Sequence, residues 1–216
     1  GVIYPTKPKE DIATSSKIIL ELIKKYKITS IAIGNGTASR ETANFINELI
    51  KQNNLDVNYA IVSEIGASVY SASKIAIEEY PNLDVTIRGA ISIAGRLRDP
   101  MAALVKIDPK SLGIGQYQHD VNQKELALKL ENITIDLVNK VGVDLNSASY
   151  KLLSFISGIS EKLAKNIVEH REKIKKFKTK NELLDVKGIG AKAYEQGVGF
   201  LRIKDGKSIL DNTAIH

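Results

Sequence analysis

Two short turns in the last third of the chain have residue types suited to holding an anion. They are Ser157–Ser160 (SGIS) and Lys187–Gly190 (KGIG), and each lies between two predicted short helices. The amino terminus of a helix leaves backbone N–H groups without partners and carries partial positive charge, so an anion there accepts hydrogen bonds. Glycine has no side chain to keep a phosphate away, and it adopts positive φ freely. The isoleucine of each turn is expected to point into the core.

Basic residues are concentrated around these turns. Residues 148–207 contain 14 basic and 7 acidic residues, whereas residues 1–147 contain 17 of each. Such a local excess is typical of a protein that contacts phosphate backbone, although a lysine-rich solvated face would give the same count. A single Gly-Ile turn usually does no more than join two helices. Two such turns 30 residues apart, inside the basic segment, favour a doubled phosphate-binding unit.

We therefore predict a tandem helix-hairpin-helix domain over residues 144–204. Contacts to phosphate carry no base information, so binding should be independent of sequence and sensitive to salt, with DNA and RNA both open. The second turn should be the stronger site, because Ser160 replaces the second glycine in the first turn. The predicted contact residues are Gly158, Ile159, Ser160, Lys162, Lys165, Lys187, Gly188, Ile189, Gly190 and Lys192.

An α/β layer is predicted upstream of this domain. Short apolar runs at residues 30–34 and 59–63 read as buried strands, and each is followed by a helical pattern. Alternation of strand and helix predicts a parallel arrangement. The carboxyl ends of such strands form the edge at which sites lie, which places Asn35, Thr37 and Glu64 there.

Several helix boundaries follow from capping residues. Asn122 should cap a long helix that runs to about Val141 and bridges two domains over residues 122–143. Asn146 should cap a helix over residues 148–156. Thr179 and Glu182 have the spacing of a capping box.

Composition excludes several protein classes. The 216 residues include 43% hydrophobic and 26% charged residues, as in ordinary globular domains, and no apolar run is long enough to span a membrane. The absence of cysteine excludes disulfides and thiolate metal sites, and it suits a cytoplasmic protein. The sequence begins with Gly1 and its only methionine is Met101, so we expect it to be a piece of a longer protein.

Residues 144–203 resemble the paired helix-hairpin-helix domain of bacterial competence DNA receptors and DNA-repair proteins. The similarity rests on Leu145–Ala148, on Arg171 and Phe177, and on Val186–Gly190. Longer runs upstream resemble signatures of the Tex family of bacterial transcription accessory proteins. These runs are Ile33–Thr42, Ser63–Ser73, Lys106–Ser111, Gly115–Val121 and Gly199–Ile203.

The Tex resemblance implies a domain plan. Residues 1–121 would be part of a YqgF-type domain with the ribonuclease H and resolvase fold, whose first strands would precede Gly1. The bridging helix and the tandem helix-hairpin-helix domain would follow, and residues 205–216 would lead to a missing S1-type RNA-binding domain. The resemblance also implies nucleic acid as a partner, with RNA polymerase or other transcription machinery as a possible second one.

Catalysis by this chain is not expected. Resolvase-type relatives use two metals held by carboxylates, and only Glu64 and Asp99 are candidates for such a degenerate site. Each has a simpler interpretation, Glu64 beside a helix start and Asp99 in an Asp-Pro turn. The three histidines, His119, His170 and His216, are too scattered for a metal cluster, so no cofactor or metal is predicted. A metal-dependent nuclease and a protein-interaction platform remain the alternatives.

Overall fold

The chain forms two compact units, residues 1–103 and residues 104–216, in a computed structural model that describes residues 2–215. None of the described helices is both long and apolar enough to cross a bilayer.

The first unit is built on two parallel strands and the helices that follow them. Strand β1 (Ser30–Gly34) pairs with β2 (Asn58–Val62), with Ser30 opposite Asn58 and Gly34 opposite Val62. The parallel pairing is the one predicted from the alternation of strand and helix. The helices are α1 (Ile12–Tyr26), α2 (Ser39–Gln52), α3 (Ala67–Ser71), α4 (Lys74–Glu79), α5 (Val85–Arg98) and α6 (Pro100–Leu104).

The core of the first unit lies between β1 and α2. Ile33 of the strand packs with Phe45 and Ile46 of the helix in one buried cluster. The prediction that the second strand is buried was wrong, because Tyr59 and Ile61 of β2 are 38% and 53% exposed. Alternate residues of a strand face opposite sides, and the described residues leave the side with Tyr59 and Ile61 largely uncovered.

The second unit is mostly helical. Its helices are α7 (Gln123–Val141), α8 (Tyr150–Leu153), α9 (Glu161–Ile174) and α10 (Ala191–Gly197), with 3₁₀ helices at Pro109–Leu112, Lys180–Asp185, Val198–Phe200 and Ile209–Asn212. Strands β3 (Val143–Asp144) and β4 (Leu201–Arg202) pair in parallel and join the two ends of the helical region. Asn122 caps α7 as predicted, since its side chain accepts hydrogen bonds from the N–H groups of Lys124 and Glu125.

Asn146 does not have the capping role predicted for it. The helix that follows it is shorter than expected, and Ser149 caps it by accepting from the N–H of Leu152. Asn146 instead accepts from the N–H of Phe177 at 2.7 Å and donates to the Phe177 carbonyl at 3.0 Å. A long-range partner that satisfies both side-chain groups outcompetes the local cap. Asn146 therefore ties the start of the first hairpin to the linker between the hairpins.

The predicted capping box at Thr179 is also absent. Thr179 makes no side-chain cap bond, and the carboxylate of Glu182 accepts from the N–H of Lys178 at 2.7 Å, one residue earlier than expected. This turn of chain is a 3₁₀ helix, in which residue spacing along the axis differs from that of an α-helix.

The end of the chain packs on the linker between the hairpins. The Lys180 ammonium donates to the Thr213 carbonyl at 2.8 Å, and the Asp211 carboxylate accepts from the N–H of Lys180 at 3.1 Å. Burial lowers the pKa of Lys180, the nearby Arg202 lowers it further, and Asp211 opposes both effects. Residues 203–213 thus belong to the folded second unit.

Candidate nucleic-acid interface

The first hairpin turn is closed by a backbone hydrogen bond from the N–H of Ile159 to the carbonyl of Ile156, at 3.0 Å. Gly158 has φ +83°, a conformation that other residues adopt only with strain. The Ile159 side chain is buried, as predicted. Ser160 is the cap of α9, and its hydroxyl accepts from the N–H of Leu163 at 3.3 Å.

The second hairpin turn has the same geometry. The N–H of Ile189 donates to the Val186 carbonyl at 3.0 Å, Gly188 has φ +90°, and the Ile189 side chain is buried. The two turns are therefore structural repeats. The difference lies at the next residue, because Gly190 caps α10 and offers no side chain to the first N–H groups of that helix.

Each hairpin turn packs against the second helix of the other hairpin. A Cβ on Gly158 would lie 2.7 Å from Cβ of Gln196 on α10, and a Cβ on Gly188 would lie 3.1 Å from Cδ2 of Leu163 on α9. Positive φ favours glycine at both positions, and at Gly158 the approach of Gln196 also leaves no room for a side chain. The two glycines thus allow each turn to pack closely against the other hairpin.

Sequence reasoning missed Asn166 as a residue of this interface. Its side-chain amide donates to the carbonyl of Lys187 at 2.8 Å and so holds the second turn. The residue one repeat later, Gln196, lies against the first turn. An amide side chain 8 residues after each hairpin glycine is the signal in the sequence that would have found this pair.

Gly190 is the open position of the interface. A Cβ there would have no atom within 4 Å, and its φ of −98° is accessible to any residue. An incoming anion can approach the backbone at Gly190, whereas the equivalent Ser160 already fills one hydrogen bond at its own helix terminus. The two turns therefore differ in how open the backbone is at the amino terminus of the following helix, and the relative strength of the two sites stays a prediction.

The lysines near the turns differ in their exposure and in whether they form an ion pair. Lys162, Lys187 and Lys192 are exposed, and no described acidic residue forms an ion pair with them. Lys165 is partly buried, and its ammonium lies 3.1 Å from the Glu161 carboxylate on the same face of α9. Lys165 is consequently the least available of the four for contact with a phosphate.

In the first unit, Glu64 lies where the carboxyl ends of β1 and β2 meet. Its N–H donates to Oδ1 of Asn35 at 3.0 Å, and its carboxylate lies directly over the turn that contains Gly34 and Gly36. A Cβ on Gly34 would be 2.5 Å from Oε2 of Glu64. The prediction that Asn35 and Glu64 share this edge is therefore confirmed, and the glycines of the turn leave space for the carboxylate in its present position.

Arg96 is a buried cation beside this edge that sequence reasoning did not identify. Its Nη1 donates to the Ser63 carbonyl, and its Nε and Nη2 have no partner among the described residues. Burial lowers the pKa of the Arg96 guanidinium, while the charge of Glu64 raises it. A positive charge therefore lies beside the carboxylate that was considered as a metal ligand.

The other candidate metal ligands do not assemble. Asp99 accepts from the N–H of Ala102 at 3.0 Å and so starts α6, as its simpler interpretation required. His170 stacks on Phe177 with ring centroids 5.6 Å apart. Within residues 2–215, no three histidine or acidic side chains come together as a metal-binding group. His216 lies outside the described residues.

Comparisons with known proteins match both units to families. Residues 1–98 match the Tex protein YqgF-like domain, and residues 138–202 match the helix-hairpin-helix motif. These matches confirm the predicted fold class, a YqgF-like domain of the ribonuclease H type followed by a helix-hairpin-helix region.

Similar proteins align over most or all of the chain. It is 51% identical over 217 residues to Protein tex of Bordetella pertussis and 50% identical over 216 residues to Transcriptional accessory protein Tex of Neisseria gonorrhoeae, in both cases over its full length. It is 47% identical over 188 residues to human S1 RNA-binding domain-containing protein 1, over 86% of the chain.

The chain spans 27%, 28% and 19% of the lengths of these three relatives. With about half of its residues identical to proteins named Tex, and with both domain matches in the same order, the chain belongs to the Tex family and carries that family's YqgF-like domain and helix-hairpin-helix region.

Proposed function

We propose that this chain binds nucleic-acid backbone through its two hairpin turns, independently of base sequence. The observation that carries the proposal is the open backbone at Gly190, beside the exposed Lys187 and Lys192, in a repeat whose partner turn has the same backbone geometry. Unpaired helix N–H groups and free ammonium groups are what a phosphate oxygen requires. The match to a helix-hairpin-helix motif supports the same conclusion.

The biological setting that we propose is transcription, in the cytoplasm, with the chain acting as one part of an accessory factor. Support comes from the names of the relatives, one of which is called a transcriptional accessory protein and another an S1 RNA-binding domain-containing protein. RNA polymerase or another component of the transcription machinery is the proposed protein partner. The fraction of each relative that the chain spans leaves room for further domains that take part in these contacts.

Affinity measured against salt tests the binding proposal. The 216-residue chain is titrated with fluorescent single- and double-stranded DNA and RNA of mixed sequence, from 50 to 300 mM salt. We expect binding to at least one of these ligands, with log K falling linearly with log salt by about 0.7 to 0.9 per phosphate contact. No binding to any of the four nucleic acids at 50 mM salt would contradict the proposal. Comparison of the four affinities also establishes which nucleic acid is preferred.

We further propose that the first unit does not cleave phosphodiesters. Asp99 is engaged in starting a helix, and Glu64 lies beside the cationic Arg96. Among residues 2–215, no group of three acidic or histidine side chains is placed to hold a metal ion. Two-metal cleavage needs several carboxylates around the ions. Incubation of a junction substrate with the full-length protein and Mg²⁺ or Mn²⁺ should leave it intact. Cleavage that is lost in Glu64→Gln would establish the alternative, a metal-dependent nuclease.

A further inference from the structure

A second group of lysines lies away from the hairpin turns. It consists of Lys176, Lys178, Lys204 and Lys207, all of them exposed, and is called the linker–tail patch. None of these side chains forms an ion pair with an acidic residue in the described part of the chain. Exposed basic residues of this unit therefore lie in the linker and the tail as well as around the turns.

The fold holds the linker lysines in position. Phe177 is completely buried, its backbone is bonded at both groups to Asn146, and its ring stacks on His170. Lys176 and Lys178, the neighbours of Phe177 in the sequence, are both exposed. They are therefore presented to solvent on either side of a buried anchor.

Two further lysines of the patch, Lys204 and Lys207, lie in the last residues of the chain, next to the linker. The N–H of Lys207 donates to the carbonyl of Lys178 at 2.8 Å, so the two backbones are in direct contact. Lys204 lies in the adjoining turn, which is closed by a bond from the N–H of Gly206 to the carbonyl of Ile203. Basic residues far apart in the sequence are thus brought near one another.

Two of the carboxylates near the patch are engaged by backbone N–H groups. Glu182 is bonded to the backbone N–H of Lys178, and Asp211 is 8% exposed and accepts from the N–H groups of Lys180 and Ser208. Asp205 is exposed and offsets one of the four charges. A net positive surface remains.

Helix capping does not account for these four lysines. Basic side chains at the end of a helix stabilise its partial negative charge, and that explanation covers Arg171 and Lys173 in the last turn of α9. The patch residues lie in the linker and in the tail, outside the last turn of any helix. The four lysines are exposed and have no ion pair within the described residues, so they are available to an anionic partner.

We propose that the linker–tail patch is a second contact surface for the phosphate backbone of the same nucleic acid that the hairpins bind. This inference rests on the proposed function of the unit. Helix α9 has its amino terminus at the first hairpin turn and its carboxyl terminus at the linker, so the two surfaces are separated by about 20 Å along the helix. That distance corresponds to about six base pairs of duplex. A bound strand of modest length therefore reaches both surfaces.

The test compares three matched pairs of substitutions in the 216-residue chain, with equal unfolding midpoints confirmed first. Lys176→Gln with Lys178→Gln alters the patch, and Lys187→Gln with Lys192→Gln alters the second hairpin. Lys124→Gln with Lys129→Gln, on the exposed amino-terminal half of α7, removes the same charge elsewhere in the unit. The probe is a 30-base-pair DNA duplex, with a 30-nucleotide single strand alongside, at several salt concentrations.

For duplex, we expect the patch pair to weaken binding about tenfold or more at 0.1 M salt and to lower the slope of log K against log salt by about 1.8, for two contacts of about 0.9 each. The control pair should change neither quantity by a comparable amount. Unchanged affinity and slope in the patch pair, with weakened binding in the hairpin pair, would overturn the inference alone.

The other outcomes separate the inference from the proposed function. Weaker binding in the patch pair with no change in the hairpin pair would show that the patch contacts phosphate, but it would overturn the hairpin as the phosphate site and with it the claim that both surfaces hold one nucleic acid. No change in either pair would overturn both. Equal weakening by the control pair would also overturn the inference, because the effect would then reflect net charge only.

Discussion

The side-chain amide of Asn166 donates a 2.8 Å hydrogen bond to the backbone carbonyl of Lys187 and so joins the second helix of one hairpin to the turn of the other. With Gln196 against Gly158 one repeat later, the two hairpins hold each other in place. The backbone geometry of either turn therefore depends on the other hairpin.

Removal of the Asn166 amide should loosen the second turn. Asn166→Ala is expected to cost about 1 kcal/mol of unfolding free energy, the usual net value of one hydrogen bond. Amide exchange over residues 187–190 should accelerate more than exchange over residues 157–160. Asn166→Asp, which has the same shape without the donor, should behave like the alanine variant. An equal acceleration of amide exchange in both turns would contradict this coupling.

The three hairpin glycines should respond differently to alanine. Gly158→Ala and Gly188→Ala place a side chain at positive φ, which costs about 1–2 kcal/mol. Gly158→Ala should be the more destabilising of the two, because its new Cβ would lie 2.7 Å from Cβ of Gln196. Gly190→Ala should leave the unfolding midpoint in urea nearly unchanged. A loss of stability in Gly190→Ala as large as in the other two would contradict the open position assigned to it.

The two hydrogen bonds between the Asn146 side chain and the Phe177 backbone can be removed separately by substitution. Asn146→Ala removes both hydrogen bonds to the Phe177 backbone, which is completely buried. The expected cost is about 2–3 kcal/mol of unfolding free energy, since a buried N–H and a buried carbonyl lose their partner. Asn146→Asp keeps the acceptor for the Phe177 N–H and should retain part of this stability. Urea unfolding of the two variants and the wild type measures the difference.

Lys180 should make stability depend on alkaline pH. Its folded-state pKa is lowered, mainly by burial, so between that value and about 10.5 the unfolded chain binds more protons than the folded chain. Unfolding free energy contributed by this group therefore rises as pH increases through that window. Urea unfolding of wild type and Lys180→Met from pH 8 to 10.5 should show their difference shifting in favour of the wild type. A constant difference would show that the lysine does not titrate abnormally.

Much of the interface could be predicted from sequence, because its repeat is local. The two turns and the buried isoleucines follow from residue spacing alone. The partners of Asn146 and Asn166 could not be predicted, because each bonds to backbone 21 or more residues away. Rules of helix capping, which consider only neighbouring residues, predicted that Asn146 caps a helix. Its side chain instead bonds to both backbone groups of the distant Phe177. Arg96 was missed for the same reason, since its burial depends on the packing of α5 against the strand ends.

The positions of the lysines on the surface could not be predicted either. The count of charged residues located the basic segment, but it could not show that some of its lysines lie away from the turns. Only the fold separates Lys187 and Lys192 from Lys176 and Lys178, because Phe177 anchors the linker at the other end of α9.

The most direct test of hairpin binding is a charge placed at Gly190, where a side chain fits without disturbing the fold. Gly190→Glu and Gly190→Gln add side chains of nearly equal size, and only the first repels phosphate. We predict that both variants unfold at the wild-type urea concentration and that Gly190→Glu binds duplex DNA at 0.1 M salt at least tenfold more weakly than Gly190→Gln. Equal affinity of the two variants would contradict phosphate binding at the second hairpin.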